Sequence, residues 1–147
     1  MPRYTTSFFP DVNVWLALTL DRHVHHRVAH DWFADVSDGS CFFFARLTQI
    51  GLLRLLNTEA LMRDETMNQL QAWATYDRWL RDDRVEFRDE PPGLEAGFRI
   101  TAQSRRPAPK DWVDSYLIAF AAAARLTIVT FDRALRAKSK SAVLLSE

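Results

Sequence analysis

Apolar residues along this chain fall into short unbroken blocks and longer periodic stretches, and the two alternate. From Trp112 to Leu126 the sequence is apolar almost all round and carries Ala119 and Ala121 to Ala124, strong helix formers, so it predicts a core helix covered on several sides. Pro109 cannot continue an earlier helix, and Asp111 is a good N-cap, which places the helix start near Asp111. The following Leu126-Thr-Ile-Val-Thr-Phe131 is β-branched and apolar without alternation. It predicts a strand buried on both faces of a parallel sheet, with Asp132 just past its C-terminal end.

The same logic runs through the rest of the chain. Ser7-Phe-Phe9, stopped by Pro10, reads as a strand, and Val14-Trp-Leu-Ala-Leu18 as a helix, so Asp11 to Asn13 lies at their junction. Val28, Trp32, Phe33 and Val36 recur at helical spacing over residues 25–36, and Cys41-Phe-Phe-Phe44 is a second buried strand. Thr48 reads as the N-cap of a helix over 49–56, and Leu70, Trp73, Tyr76 and Leu80 mark an amphipathic helix over 65–80. Arg84-Val-Glu-Phe-Arg88 alternates like an edge strand. Beyond it come a helix over 94–101, the core helix and its strand, a basic helix over 133–138 and a last strand over 142–145. The order β α α β α α β α α β α β implies a parallel sheet with right-handed crossovers, a three-layer α/β/α domain spanning residues 1–147.

Composition narrows the picture only a little. With 48% hydrophobic and 26% charged residues, four Gly and six Pro, the chain has the make-up of an ordinary folded protein rather than a disordered one. The lone Cys41 reads as a small buried hydrophobe. No apolar run approaches the ~20 residues that span a bilayer, and a cytoplasmic protein is expected. Net charge is zero, yet residues 105–147 hold eight Lys/Arg against four Asp/Glu, while residues 57–95 hold five against ten. The last third is locally basic, and an anionic partner could use that bias.

Asp11, Asp114 and Asp132 all sit at helix starts or strand ends, which this topology puts on one rim of the sheet. Neighbouring strands lie about 4.8 Å apart, so carboxylates there could share a divalent cation such as Mg²⁺ or Mn²⁺. Each acid also has a plainer use as a helix cap. The pair His26 and His30 has the i, i+4 spacing of zinc ligands, but no Glu or Cys completes such a site.

Four segments together carry a resemblance. Pro10-Asp-Val-Asn-Val-Trp-Leu-Ala-Leu18, Thr48-Gln-Ile-Gly-Leu-Leu-Arg54, Trp112-Val-Asp-Ser-Tyr-Leu-Ile-Ala119 and Thr130-Phe-Asp-Arg133 resemble the successive motifs of PIN-domain ribonucleases, in particular the VapC-type toxins of toxin-antitoxin pairs. The resemblance implies metal-dependent endonucleolytic hydrolysis of RNA, with Asp11 and Asp114 as principal metal ligands, Asp132 as the supporting acid, and Asn13 and Thr130 as polar neighbours. It also implies a VapB-like antitoxin and a homodimer. Where the family usually has a glutamate this chain has Gln49, which brings no negative charge. The basic residues flanking the acids, Arg133, Arg136, Lys138 and Lys140 on one side and Arg105, Arg106 and Lys110 on the other, are candidates for the RNA backbone. Two other readings stay open: a catalytically weak domain that acts by binding antitoxin or RNA, and a phosphatase with Asp11 as nucleophile. The second needs an acid two residues on, where this chain has Asn13.

Overall fold

Five parallel strands, Ser7–Pro10 (β1), Cys41–Phe44 (β2), Val85–Phe87 (β3), Thr127–Thr130 (β4) and Val143–Leu144 (β5), form one sheet in the order β3-β2-β1-β4-β5. The structure is a computed structural model and describes residues 6–36 and 38–146. Phenylalanines alternate across the sheet: Phe8, Phe42 and Phe44 enter one core, whereas Phe9 and Phe43 enter the other. This is why the strands read as continuous apolar blocks. Each side chain in turn needs a covered face.

The helices Val12–Thr19 (α1), His26–Val36 (α2), Arg46–Leu56 (α3), Glu59–Met62 (α4) and Gln69–Leu80 (α5) lie between β1 and β3 in the chain, and most of them pack on the first face. Trp15 stacks on Phe44 with ring centroids 3.9 Å apart, and Trp79 donates its indole N–H to Thr19 Oγ1 at 2.8 Å. Leu94–Thr101 (α6), Asp111–Ala124 (α7) and Arg133–Lys138 (α8) cover the second face. The three-layer architecture expected from the pattern is the one observed.

Several local expectations are corrected. α3 begins at Arg46, not Gln49: Thr48 is inside its first turn and exchanges hydrogen bonds with the Ala45 backbone, accepting from its N–H at 3.0 Å and donating to its C=O at 3.1 Å. An additional helix, α4, precedes the polar turn at Arg63–Glu65, and α5 starts at Gln69 with Asn68 as its cap. Cys41 is only half-buried. α7 is less enclosed than its composition suggests, because Trp112, Val113, Ala122 and Ala123 face solvent. Alanine is tolerated at both kinds of position, so apolar content alone overstates burial.

Candidate active site

β1 is the strand at which the chain reverses its direction of growth across the sheet, since β2 and β3 lie on one side of it and β4 and β5 on the other. The crevice at the C-terminal ends of β1 and β4 is therefore where an open parallel sheet leaves room for a ligand. Asp11 sits at this point. Its backbone N–H donates to the Val129 carbonyl at 2.9 Å, extending the ladder by one residue, and its carboxylate caps α1 by accepting from the Asn13 N–H at 2.8 Å. The second carboxylate oxygen accepts from the Thr130 hydroxyl at 2.6 Å, and that hydroxyl accepts from the Asp132 N–H at 2.9 Å. Thr130 is fully buried, so this chain of bonds ties Asp11 to Thr130 across 119 residues of sequence and, through it, to the backbone of Asp132.

Burial pushes the Asp11 carboxyl above its ordinary value of 3.8. The hydrogen bonds from Thr130 and Asn13 oppose that shift, and the negative charges of Asp132 and Asp114 add to it. Both other acids thus act on the same carboxylate. Asp132 caps α8 as well, accepting from the N–H groups of Ala134 at 2.8 Å and Leu135 at 3.3 Å. The capping use and the rim position coexist in the same residues.

The third acid has a cation beside it. Asp114, in the first turn of α7, accepts from Lys138 Nζ at 3.0 Å, and the same ammonium reaches Asp111 at 2.8 Å. Asp111 is not the helix cap: Lys110 holds that position without a side-chain cap bond, and the Asp111 carboxylate is drawn across to α8. Lys138, one of the residues expected on the RNA backbone, instead lies against the acids. Arg133, Arg106 and Lys110 are exposed around the rim, and Arg136 is half-buried. Among the described residues no three acidic, imidazole or thiol side chains close around a single point. The acids share a rim without forming a finished cage.

Gln49 is turned to other partners. Its side-chain oxygen accepts from Arg46 at 2.7 Å within α3, while burial raises the pKa of the Tyr76 hydroxyl of α5 and the Gln49 amide acts on that hydroxyl to lower it. Arg46 lies 4.5 Å over the Phe87 ring. The i, i+3 spacing of Arg46 and Gln49 signals this contact once α3 is known to start at 46. The orientation of Asn13 also differs from expectation, because its backbone, not its amide, contacts Asp11. Of the histidines, His26 donates from Nδ1 to the Ala17 carbonyl at 2.7 Å, which orders the turn before α2.

Residues 8–141 match the family model of the PIN domain. The chain belongs to the PIN domain family. This PIN-domain protein is 41% identical over 128 residues to Ribonuclease VapC41 of Mycobacterium tuberculosis, an alignment covering 84% of this chain and 88% of the relative. It is 31% identical over 137 residues to Ribonuclease VapC39 of the same organism, covering 92% and 94%. Among solved structures, VapBC2 from Rickettsia felis bound to a DNA fragment from its promoter aligns with a TM-score of 0.67 at 11% identity, covering 95% of this chain and 97% of that one. VapC20 of Mycobacterium tuberculosis, a Sarcin-Ricin loop cleaving toxin, aligns at 0.63 and 18%, covering 90% and 95%. These two likenesses establish the fold.

Proposed function

We infer that this PIN-domain protein is a metal-dependent endoribonuclease, the toxin of a VapBC-type pair, hydrolysing RNA phosphodiester bonds. The observation that carries the reading is a desolvated Asp11 carboxylate held against Thr130 and repelled by Asp114 and Asp132, with the Lys138 ammonium bonded to one of those neighbours. Such a rim calls for positive charge. Its donors are all carboxylate oxygens, which suits a hard divalent cation, and Asp11, Asp114 and Asp132 are the residues that would hold Mg²⁺ or Mn²⁺. Gln49 contributes no charge and its oxygen is engaged by Arg46, so it stands outside the ligand set.

When bound, such an ion supplies an activated water and offsets charge on the phosphate and the leaving 3′ oxygen. The protein's part is positional. Thr130 and the Asn13 backbone N–H keep Asp11 fixed, so the carboxylate needs no reorganisation when the substrate arrives. Lys138, Arg133, Arg136 and Lys110 flank the rim and would hold RNA phosphates, with Lys138 exchanging its carboxylates for one of them, while Arg106 lines the recess beside Asp111. No helix among the described residues is long and apolar enough to cross a membrane, and the expected setting is the cytoplasm, with a VapB-like antitoxin as partner.

We assign the expected second copy of the chain to the outer face of α3 and α5. There Ile50 and Trp73 are exposed and border a recess of about 350 Å³ lined also by Leu53, Arg54 and Asn57. A purely binding role is favoured by one observation, the uncharged Gln49. Incubation of the purified protein with total RNA and Mn²⁺ separates the readings. Fragments bearing 5′-phosphates are expected from the enzyme, and intact RNA at every metal concentration would identify a binder.

A further inference from the structure

Trp112 is 60% exposed, although Trp15 is fully enclosed and Trp32 and Trp79 are packed against the first core. It occupies the first turn of α7, one residue after Asp111 and two before Asp114. A large aromatic ring left in water costs free energy unless something covers it in use. Its surroundings indicate what that is. Phe98 of α6 meets the indole edge-to-face, with centroids 6.1 Å apart at 84°, and Tyr116 meets Phe98 in turn at 5.6 Å and 87°. The ring is therefore braced from behind by aromatic contacts.

Two recesses share the indole as a wall. One, of about 240 Å³, is lined by Gln103, Ser104, Arg106, Asp111, Trp112 and Ser115. The other, of about 540 Å³, adds Phe98 and Arg99. The smaller recess runs into the acid rim through Asp111, whose carboxylate shares Lys138 with Asp114. A protein partner would need a broad apolar face. Ile100 and Val113 are exposed on the same two helices but line neither recess; within the recesses the indole is edged by Gln103, Arg106, Arg99 and Glu95, a stacking surface with polar groups at its margin.

We propose that Trp112 is a nucleobase platform: one unpaired base of the RNA strand, next to the phosphate held at the acid rim, stacks on the indole and presents its edge to Gln103 and Arg106. This rests on the nuclease reading for the identity of the strand. The Gln103 amide offers both a donor and an acceptor and Arg106 offers donors, which suits the Watson–Crick edge of an unpaired base. The platform makes single-stranded or looped RNA the preferred substrate, because a paired base cannot leave its stack without a cost.

The test is binding of a fluorescein-labelled short single-stranded RNA, read by anisotropy in an Asp11→Asn background so that the strand stays intact. Trp112→Ala is expected to weaken binding about ten- to a hundred-fold, the range of one lost base stack, and Trp112→Phe to restore it to within a few-fold. The same RNA annealed into a duplex is expected to bind all three proteins alike. Equal single-strand affinity for the Ala and Trp proteins, both with unchanged circular dichroism, overturns the platform. So does an Ala variant that changes only self-association on gel filtration. RNA that binds through Trp112 but is never cut by the Asp11 protein supports the platform and rejects the nuclease reading alone.

Discussion

At position 49 an amide stands where related motifs carry an acid, and its oxygen is already taken by Arg46. Gln49→Glu places a carboxylate at a buried position against the exposed Arg46 guanidinium, a charge-assisted pair, and supplies the negative charge that the resemblance expects at this position. Mn²⁺ binding measured by calorimetry is expected to tighten several-fold, toward the ten-fold or more typical of outer-shell changes. Unchanged affinity would show that Gln49 lies outside the field of the metal site. Most of the rim was legible residue by residue, because Asp11, Thr130 and Asp132 sit within a few positions of strand ends that the apolar blocks delimit. The partners of the acids were not legible. Lys138 is 24 residues from Asp114, and its turn inward depends on how α8 docks beside α7, which no local pattern encodes. Trp112 was hidden for the opposite reason: it begins an apolar run, and the run's first turn projects beyond the core.

Among the elements, α3 and α1 show why a motif that looks functional is partly steric. A Cβ added at Gly51 would lie 2.5 Å from a methyl of Val12, the residue directly after Asp11. Val12 is β-branched and stiff at χ1, so it has little freedom to move aside. Gly51→Ala is expected to destabilise the protein by about 1–3 kcal/mol, the usual cost of overpacking, and to lower activity by displacing the start of α1. Urea unfolding gives the number. A midpoint equal to that of the parent protein would mean the helices separate freely and Gly51 has no such role. Strand ends were recovered closely because parallel strands are bounded by sharp changes in polarity. Helix starts were less so: α3 begins three residues early, since Ala45 has no capping side chain and Thr48 acts from inside the turn.

Taken whole, the molecule brings the strands that enclose the site together from opposite ends of the chain, β1 and β4, and the strand order alone accounts for the meeting of Asp11 with Asp132. The architecture was readable because alternation of buried strands with helices leaves few topologies. The outer surface of α3 and α5 belongs to the same scale. Sedimentation is expected to give a dimer that Ile50→Asp converts to a folded monomer, whereas an unaltered mass would remove that face from consideration.

The acid rim itself is tested most directly by Mn²⁺-dependent RNA cleavage compared between the parent protein and Asp11→Asn. The substitution keeps the size of the side chain and removes a carboxylate whose charge is opposed by burial and by two neighbouring acids, so the variant is expected to be at least as stable near neutral pH. Cleavage that rises with Mn²⁺ in the parent and falls by three or more orders of magnitude in a folded Asp11→Asn protein is the expected result, on the order of the losses that follow removal of a catalytic group. Undiminished cleavage by the variant would contradict the account.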